Sequence, residues 1–259
     1  MTTSTFGGEV SEYYQRFRRG YPSEVADVPA TAFALSGDDL VVDLGCGTGQ
    51  LTRALAPRVG AVLGMDPEPA MLAQARRATA EPNVGWLLGA DSDVGALQAV
   101  LGPRRLAAVT VAQALHWMDH PRLFAAVRPL LRPGGGVAVV TNGEPLWLQD
   151  TPWWAALRDV VSAYLGTPVH RTCGTDDASQ ERYAKALAAA GYAVSSTVVE
   201  YSAPLSVDEL AGGVFSAMSP DQLPAPDARP AFTERIRAAV APHGPLWEHV
   251  RVRLLTGSR

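Results

Sequence analysis

The run Val41-Val42-Asp43-Leu44-Gly45-Cys46-Gly47-Thr48-Gly49 constrains this chain more than any other stretch. A short apolar strand enters a turn with glycine at every second position, and a stretch with helical spacing follows. Glycine alone adopts left-handed backbone without penalty and lets the main chain approach a neighbour closely. Glycines at this spacing therefore mark a strand-to-helix turn built to lie against something. The pattern is G-x-G-x-G, and Gln50 stands where a dinucleotide fingerprint G-x-G-x-x-G places its last glycine. A dinucleotide oxidoreductase is the reading this disfavours.

Around that turn the chain alternates β-rich and helical runs. Strands are expected at 40–44, 61–65, 84–88, 107–112 and 137–141, with helices at 48–56, 69–79, 94–101 and 120–131 between them. Such alternation gives an α/β fold, a doubly wound and mostly parallel sheet with right-handed crossovers and helices on both faces. Asp119 caps the helix that begins at His120, and Pro121 is tolerated in its first turn. Later β runs at 193–201 and 249–255, the first led in by a helix at 180–190, bring the expected sheet to seven strands. The reading is one domain over 1–259. Residues 1–37 form an N-terminal helical lid, 38–141 the ligand-binding core, 142–180 a helical insertion over the substrate, and 181–259 the part that completes the sheet. The proline-rich stretch 220–230 reads as a loop.

At 259 residues, with 47% hydrophobic and 19% charged side chains, the chain can bury a full sheet without disulfides or metal. Its two cysteines, Cys46 and Cys173, are too few for a disulfide framework and fit a reducing cytoplasm. A net charge of -4 argues against a nucleic-acid partner. No apolar run approaches the roughly 20 residues that span a bilayer. A monomer or homodimer is expected, with no membrane partner and no metal.

Acids follow successive strands. Asp66 ends the second, where a carboxylate can accept from both hydroxyls of a ribose, and Asp91 follows the third, where it can accept from an adenine amino group. Three acids with Asp43 suit a cationic ligand and would repel a pyrophosphate.

With these residues in view, the chain resembles the class I S-adenosylmethionine (SAM)-dependent methyltransferases, in the small-molecule branch related to the type 11 methyltransferase domain. The resemblance is carried by 41–49, by GMDPEPAML at 64–72, GAD at 89–91, AQALHWMD at 112–119 and LLRPGGG at 130–136. It implies SAM as cofactor, S-adenosylhomocysteine as product and a small-molecule methyl acceptor. Gly45 and Gly47 would lie against the methionine part, Asp66 would hold the ribose and Asp91 the adenine amino group. Met71 and Ala90 would flank the adenine, and Asp43 would position the turn. Pro67, Ser92 and Gln113 complete the expected cofactor contacts. Tyr14-Gln15-Arg16-Phe17-Arg18-Arg19-Gly20-Tyr21-Pro22 is similar to the segment that folds over SAM in this branch. Arg18 matches the arginine that meets the methionine carboxylate, and Tyr14 would close over the sulfonium. Arg19 stands where the pattern has proline.

Methyl transfer is an in-line displacement, and it needs a base only when the acceptor carries a proton. His116, after the fourth strand, is the candidate base because imidazole titrates near neutrality; packing or hydrogen bonding the loop is its alternative role. Trp117, with Trp147, Trp153 and Trp154 from the insertion, are candidates for a substrate lid, joined by Tyr164, Phe215 and Met218; core packing is the alternative. His170 and His243 read as surface residues. The acceptor class expected is a secondary metabolite or small carboxylic acid, methylated at O, N or C. A SAM-binding cyclase or rearrangement enzyme that loses no methyl is the rival, and a SAM-binding regulator without turnover a third reading.

Overall fold

The computed structural model describes residues 8–143, 152–169 and 173–259. Trp147 and His170 lie outside them. The chain divides into two compact units. One holds residues 8–19, 143–173 and 200–251, and the other 20–142, 174–199 and 252–259.

The larger unit carries the sheet. Its elements are α2 (Ser23–Ala32), β1 (Leu40–Leu44), α3 (Gln50–Leu55), β2 (Ala61–Asp66), α4 (Pro69–Ala78), β3 (Val84–Leu88), α5 (Leu97–Leu101), β4 (Leu106–Ala112), α6 (His120–Val127), β5 (Leu131–Asn142) and α8 (Asp177–Ala189). Two long strands, β6 (Ala193–Pro204) and β7 (Trp247–Ser258), contribute residues 193–199 and 252–258. The strand order is β3-β2-β1-β4-β5-β7-β6. The first five strands pair in parallel, while β7 runs antiparallel to β5, with Val139 opposite Leu255. The order reverses between β1 and β4, the switch point at which ligands bind in open α/β sheets.

Alternation along each strand sorts the two faces. Val42, Leu44, Val109, Val111, Val137 and Val139 point to one side, where Leu97 of α5, Leu123 and Phe124 of α6, and Tyr183 and Leu187 of α8 close a continuous core. On the other face Asp43 reaches Thr52 of α3, and Phe33 lies against the site where Gly136 has no Cβ. A buried Val or Leu contributes about 1.5–3 kcal/mol, so these facing layers hold the sheet edge rigid beneath the glycine turn. Residues 94–96 and 128–130, expected as helix, belong to 3-10 turns at Asp91–Ala96 and Arg128–Leu130 beside α5 and α6.

The smaller unit is helical: α1 (Glu9–Phe17), α7 (Pro152–Leu165), α9 (Val207–Phe215) and α10 (Arg229–Val240), with residues 200–204 and 247–251 of the two long strands. Ser206 and Glu209 form a reciprocal capping box that starts α9. Gly212 lets the Phe17 ring of α1 sit directly on α9. Helix α10 begins inside the stretch 220–230, which also holds a 3-10 turn at Pro220–Gln222. Both α9 and α10 were unanticipated in the sequence. Among the described residues no helix is long and apolar enough to cross a membrane.

Candidate functional site

The expected turn forms as read. Gly45, Gly47 and Gly49 all have positive φ, at 66°, 55° and 82°. A Cβ on Gly45 would stand 2.5 Å from the Cβ of Ala114, so the turn after β1 lies directly against the segment after β4. A Cβ on Gly49 would meet the Trp86 ring at 2.5 Å, and Gly64, paired with Trp86 across β2 and β3, makes room for the same indole. Trp86 thus braces the turn from the edge of the sheet.

Two acids sit under the turn. Asp43, at the end of β1, is buried and accepts from the hydroxyls of Thr52 at 2.6 Å and Thr110 at 2.8 Å. Burial pushes its carboxyl up to about 6, against the downward pull of the two threonines. Asp66, at the end of β2, accepts from the backbone N–H of Gly47 at 2.8 Å and of Glu68 at 2.9 Å. Burial raises it too, against those backbone bonds, and its charge adds to the rise at Asp43. Neither acid forms an ion pair with a described residue. Between them lies Cys46, buried and free, its thiol pushed well up by burial and by the two acids. A buried thiol held in its protonated form is a poor nucleophile.

The remaining expected residues fall around this edge or in the smaller unit. Met71 is buried in α4, Pro67 and Ser92 are exposed, and Ala90 precedes the 3-10 turn that Asp91 opens. Asp91 accepts from the backbone N–H of Asp119 at 3.3 Å, which brings the end of β3 to the start of α6. Asp119 caps that helix through Arg122, as expected. Gln113 follows β4 with a left-handed backbone, φ 52°, and its N–H bonds the carbonyl of Val140. Its side-chain oxygen Oε1 is buried without a hydrogen-bond partner, as are Gln50 Nε2 and, at the end of β5, Asn142 Oδ1.

His116 and Trp117 form a short turn after β4, their rings 5.0 Å apart. Trp117 is 59% exposed. His116 packs beside Gly174, where a Cβ would stand 3.0 Å from its own, and Gly174 abuts the Tyr183 hydroxyl of α8. His120 meets the Tyr183 ring edge-on. His243 is exposed.

Tyr14 and Arg18 lie in the smaller unit. Arg18 donates from Nε to Ser216 at 2.8 Å and sits 5.6 Å from the Tyr14 ring centroid. Arg19 replaces the expected proline with ion pairs to Glu209 and Glu248. Trp153 and Trp154 stack at 3.8 Å and are buried with Phe215, Met218 and Phe232 in the core of that unit, with Tyr164 packed against it. Trp154, 1% exposed, is a core residue as placed.

Comparisons with known proteins converge on one family. Residues 41–135 match the family described as "Methyltransferase domain". An uncharacterized methyltransferase of Mycobacterium tuberculosis is 39% identical over 140 residues, 53% of this chain and 52% of that protein. A trans-aconitate 2-methyltransferase of Deinococcus radiodurans is 44% identical over 102 residues, 38% of this chain and 36% of the enzyme. The chain thus spans about half the length of the first of these relatives and less of the second. A solved structure from Anaeromyxobacter dehalogenans, provisionally named a type II methyltransferase, superposes with a TM-score of 0.63 over 93% of this chain and 98% of its own, at 22% identity, and shows the shared fold. Over residues 41–135, then, the chain is similar to the methyltransferase domain family, and its fold is shared with a solved structure named for a methyltransferase.

Proposed function

We propose that this chain transfers a methyl group from SAM to a small-molecule acceptor. The observation that carries the reading is the pair of buried acids, Asp43 and Asp66, beneath a glycine turn at the switch point, neither ion-paired with a cationic side chain among the described residues. Buried carboxylates without a counter-charge are costly, and a ligand cationic at sulfur and nitrogen relieves that cost. The cradle fits such a group. Gly45 brings backbone where a Cβ has no room, and the orphaned Gln50 Nε2 and Gln113 Oε1 flank the turn.

In this reading Gly45 and Gly47 lie along the methionine part, and Asp66 accepts from the ribose with the lone pairs its backbone bonds leave open. Met71, Ala90, Asp91, Ser92 and Pro67 surround the adenine. Gln113 closes the methyl-proximal end. When bound, SAM supplies an activated methyl on a sulfonium. The protein's part is to hold the acceptor in line, exclude water and, for a protonated acceptor, take a proton at His116.

The acceptor is a secondary metabolite or small carboxylic acid. The relative named for trans-aconitate supports the latter, and the net charge of -4 weighs against nucleic acid. Mass spectrometry of the protein as isolated, followed by incubation of SAM with candidate acceptors, tests the reading. Co-purifying SAM or S-adenosylhomocysteine and a product heavier by one methylene unit are expected. Binding of NAD and not SAM would overturn it.

A further inference from the structure

Two orphaned acceptors stand at the carboxyl ends of neighbouring strands. Gln113 directly follows β4 and Asn142 ends β5, and these strands are neighbours whose ladder runs to Ala112 opposite Val140. The Gln113 N–H continues that ladder by bonding Val140. Both side-chain oxygens, Gln113 Oε1 and Asn142 Oδ1, are buried and have no hydrogen-bond partner among the described residues. Buried polar atoms are almost always satisfied, and those that are not call for an explanation. The adjacent polar groups are already committed. Thr110 is turned to Asp43, and Thr141 donates to the carbonyl of Arg253. Gln113 is also held in left-handed backbone that a non-glycine residue adopts only when its surroundings impose it. Its neighbour Ala114 is the residue that the glycine turn touches. Gln113 thus adjoins the segment that meets the glycine turn, and Asn142 ends the strand beside it.

We propose that Gln113 and Asn142 orient the methyl acceptor, and that the acceptor attacks through a hydroxyl or amino group whose hydrogen they accept. This rests on the methyltransferase reading and narrows it. A carboxylate would need both amides turned to present their N–H groups, whereas a hydroxyl or amine meets the oxygens as they stand. In the step itself a lone pair of the hydroxyl oxygen or amine nitrogen forms the new bond to the methyl carbon. The carbon–sulfur bond breaks with its pair left on sulfur, and the acceptor's proton passes to His116, the base of the reading on which this rests.

The test compares wild type with Asn142→Leu and Gln113→Leu, using SAM with a panel of phenols, alcohols and amines and with trans-aconitate as the carboxylate probe. Expected are methylated phenol, alcohol or amine products in wild type and a tenfold or greater loss of kcat/KM in each variant, carried largely by KM. SAM affinity should change less than threefold in Asn142→Leu, and the melting temperature should hold or rise in both variants because an unsatisfied acceptor has been removed. A melting temperature lowered by several degrees in both variants marks the amides as structural and overturns the proposal. So does methylation confined to trans-aconitate, a panel with no hydroxyl or amine product, or unchanged turnover in the variants. Failure of wild type to bind SAM overturns the methyltransferase reading itself, and calorimetry of SAM alone registers that separately.

Discussion

The Asp66 carboxylate accepts a hydrogen bond from the backbone N–H of Gly47 at 2.8 Å, tying the end of β2 to the turn that follows β1. One side chain thereby sets the shape of the cradle and places negative charge beneath it. Its other oxygen accepts from Glu68 and fixes the entry to α4. Asp66→Asn keeps an acceptor for only one of these donors and removes the charge. Because burial already penalises that charge, the change in stability should be small. A charge-assisted hydrogen bond contributes roughly 1.5–3 kcal/mol, so SAM affinity should fall about ten- to a hundredfold. Calorimetric titration decides it, and an unaltered affinity removes Asp66 from the site.

Gly45→Ala tests the close approach of the turn to Ala114. The variant combines a left-handed φ of 66° with a Cβ 2.5 Å from the neighbouring Cβ. Gly166 has a similar φ of 69° and nothing within 4 Å of an added Cβ. Gly166→Ala should lose about 1 kcal/mol for backbone conformation alone, and Gly45→Ala about 2–4 kcal/mol, since the overlap adds to the strain. Urea unfolding of both variants gives the difference directly. Equal losses would mean that the turn yields without cost.

What was legible in the sequence was local. The glycine turn, the acids at successive strand ends and the Asp119 cap each announce themselves within a few residues. Trp86 was missed because its role depends on pairing between β2 and β3, which sets Gly64 opposite it and carries the ring over Gly49. The smaller unit was hidden for the same reason, since α1, α7, α9 and α10 build one core from distant stretches. One signal there could have been read: Ser206 followed three residues later by Glu209, which opens α9. The replacement of proline by Arg19 makes sense only beside Glu209 and Glu248, which no local pattern foretells.

Trp86→Ala should loosen the turn. It removes the ring packed on Gly64 and Gly49, at a cost of about 2–3 kcal/mol for a half-buried indole. SAM affinity should fall with it, because the turn loses its brace. Gly64→Ala in the Trp86→Ala background should recover part of the stability, since the space beside the strand is then open. Lack of recovery would argue that Trp86 acts elsewhere.

Asp43 gives the fold a pH dependence of definite sign. Its folded value of about 6 lies above the ordinary 3.8. The stability it contributes is therefore full below about pH 3.8 and is lost as pH rises through about 6. The difference is at most about 3 kcal/mol at neutrality. Asp43→Asn should flatten that slope between pH 4 and 7, as read by chemical denaturation at each pH. Bound SAM, being cationic, should draw the proton off, so affinity should rise from pH 5 to 7. A slope that survives in Asp43→Asn assigns the effect to Asp66 or to another group.

His116 is the residue where a chemical and a packing role must be separated. The structure seats it against Gly174, whose left-handed φ of 72° leaves no room for a Cβ beside His116 and the Tyr183 hydroxyl. His116→Asn conserves much of the volume and removes the imidazole. If His116 takes the acceptor's proton, kcat should fall on the order of a hundredfold and the acidic limb of the pH–rate profile should disappear, while the melting temperature holds. Gly174→Ala displaces the ring without altering its chemistry, so it should lower kcat yet leave that limb in place. A merely packed histidine gives the opposite pattern: both variants lose stability together, and the pH profile keeps its shape in each.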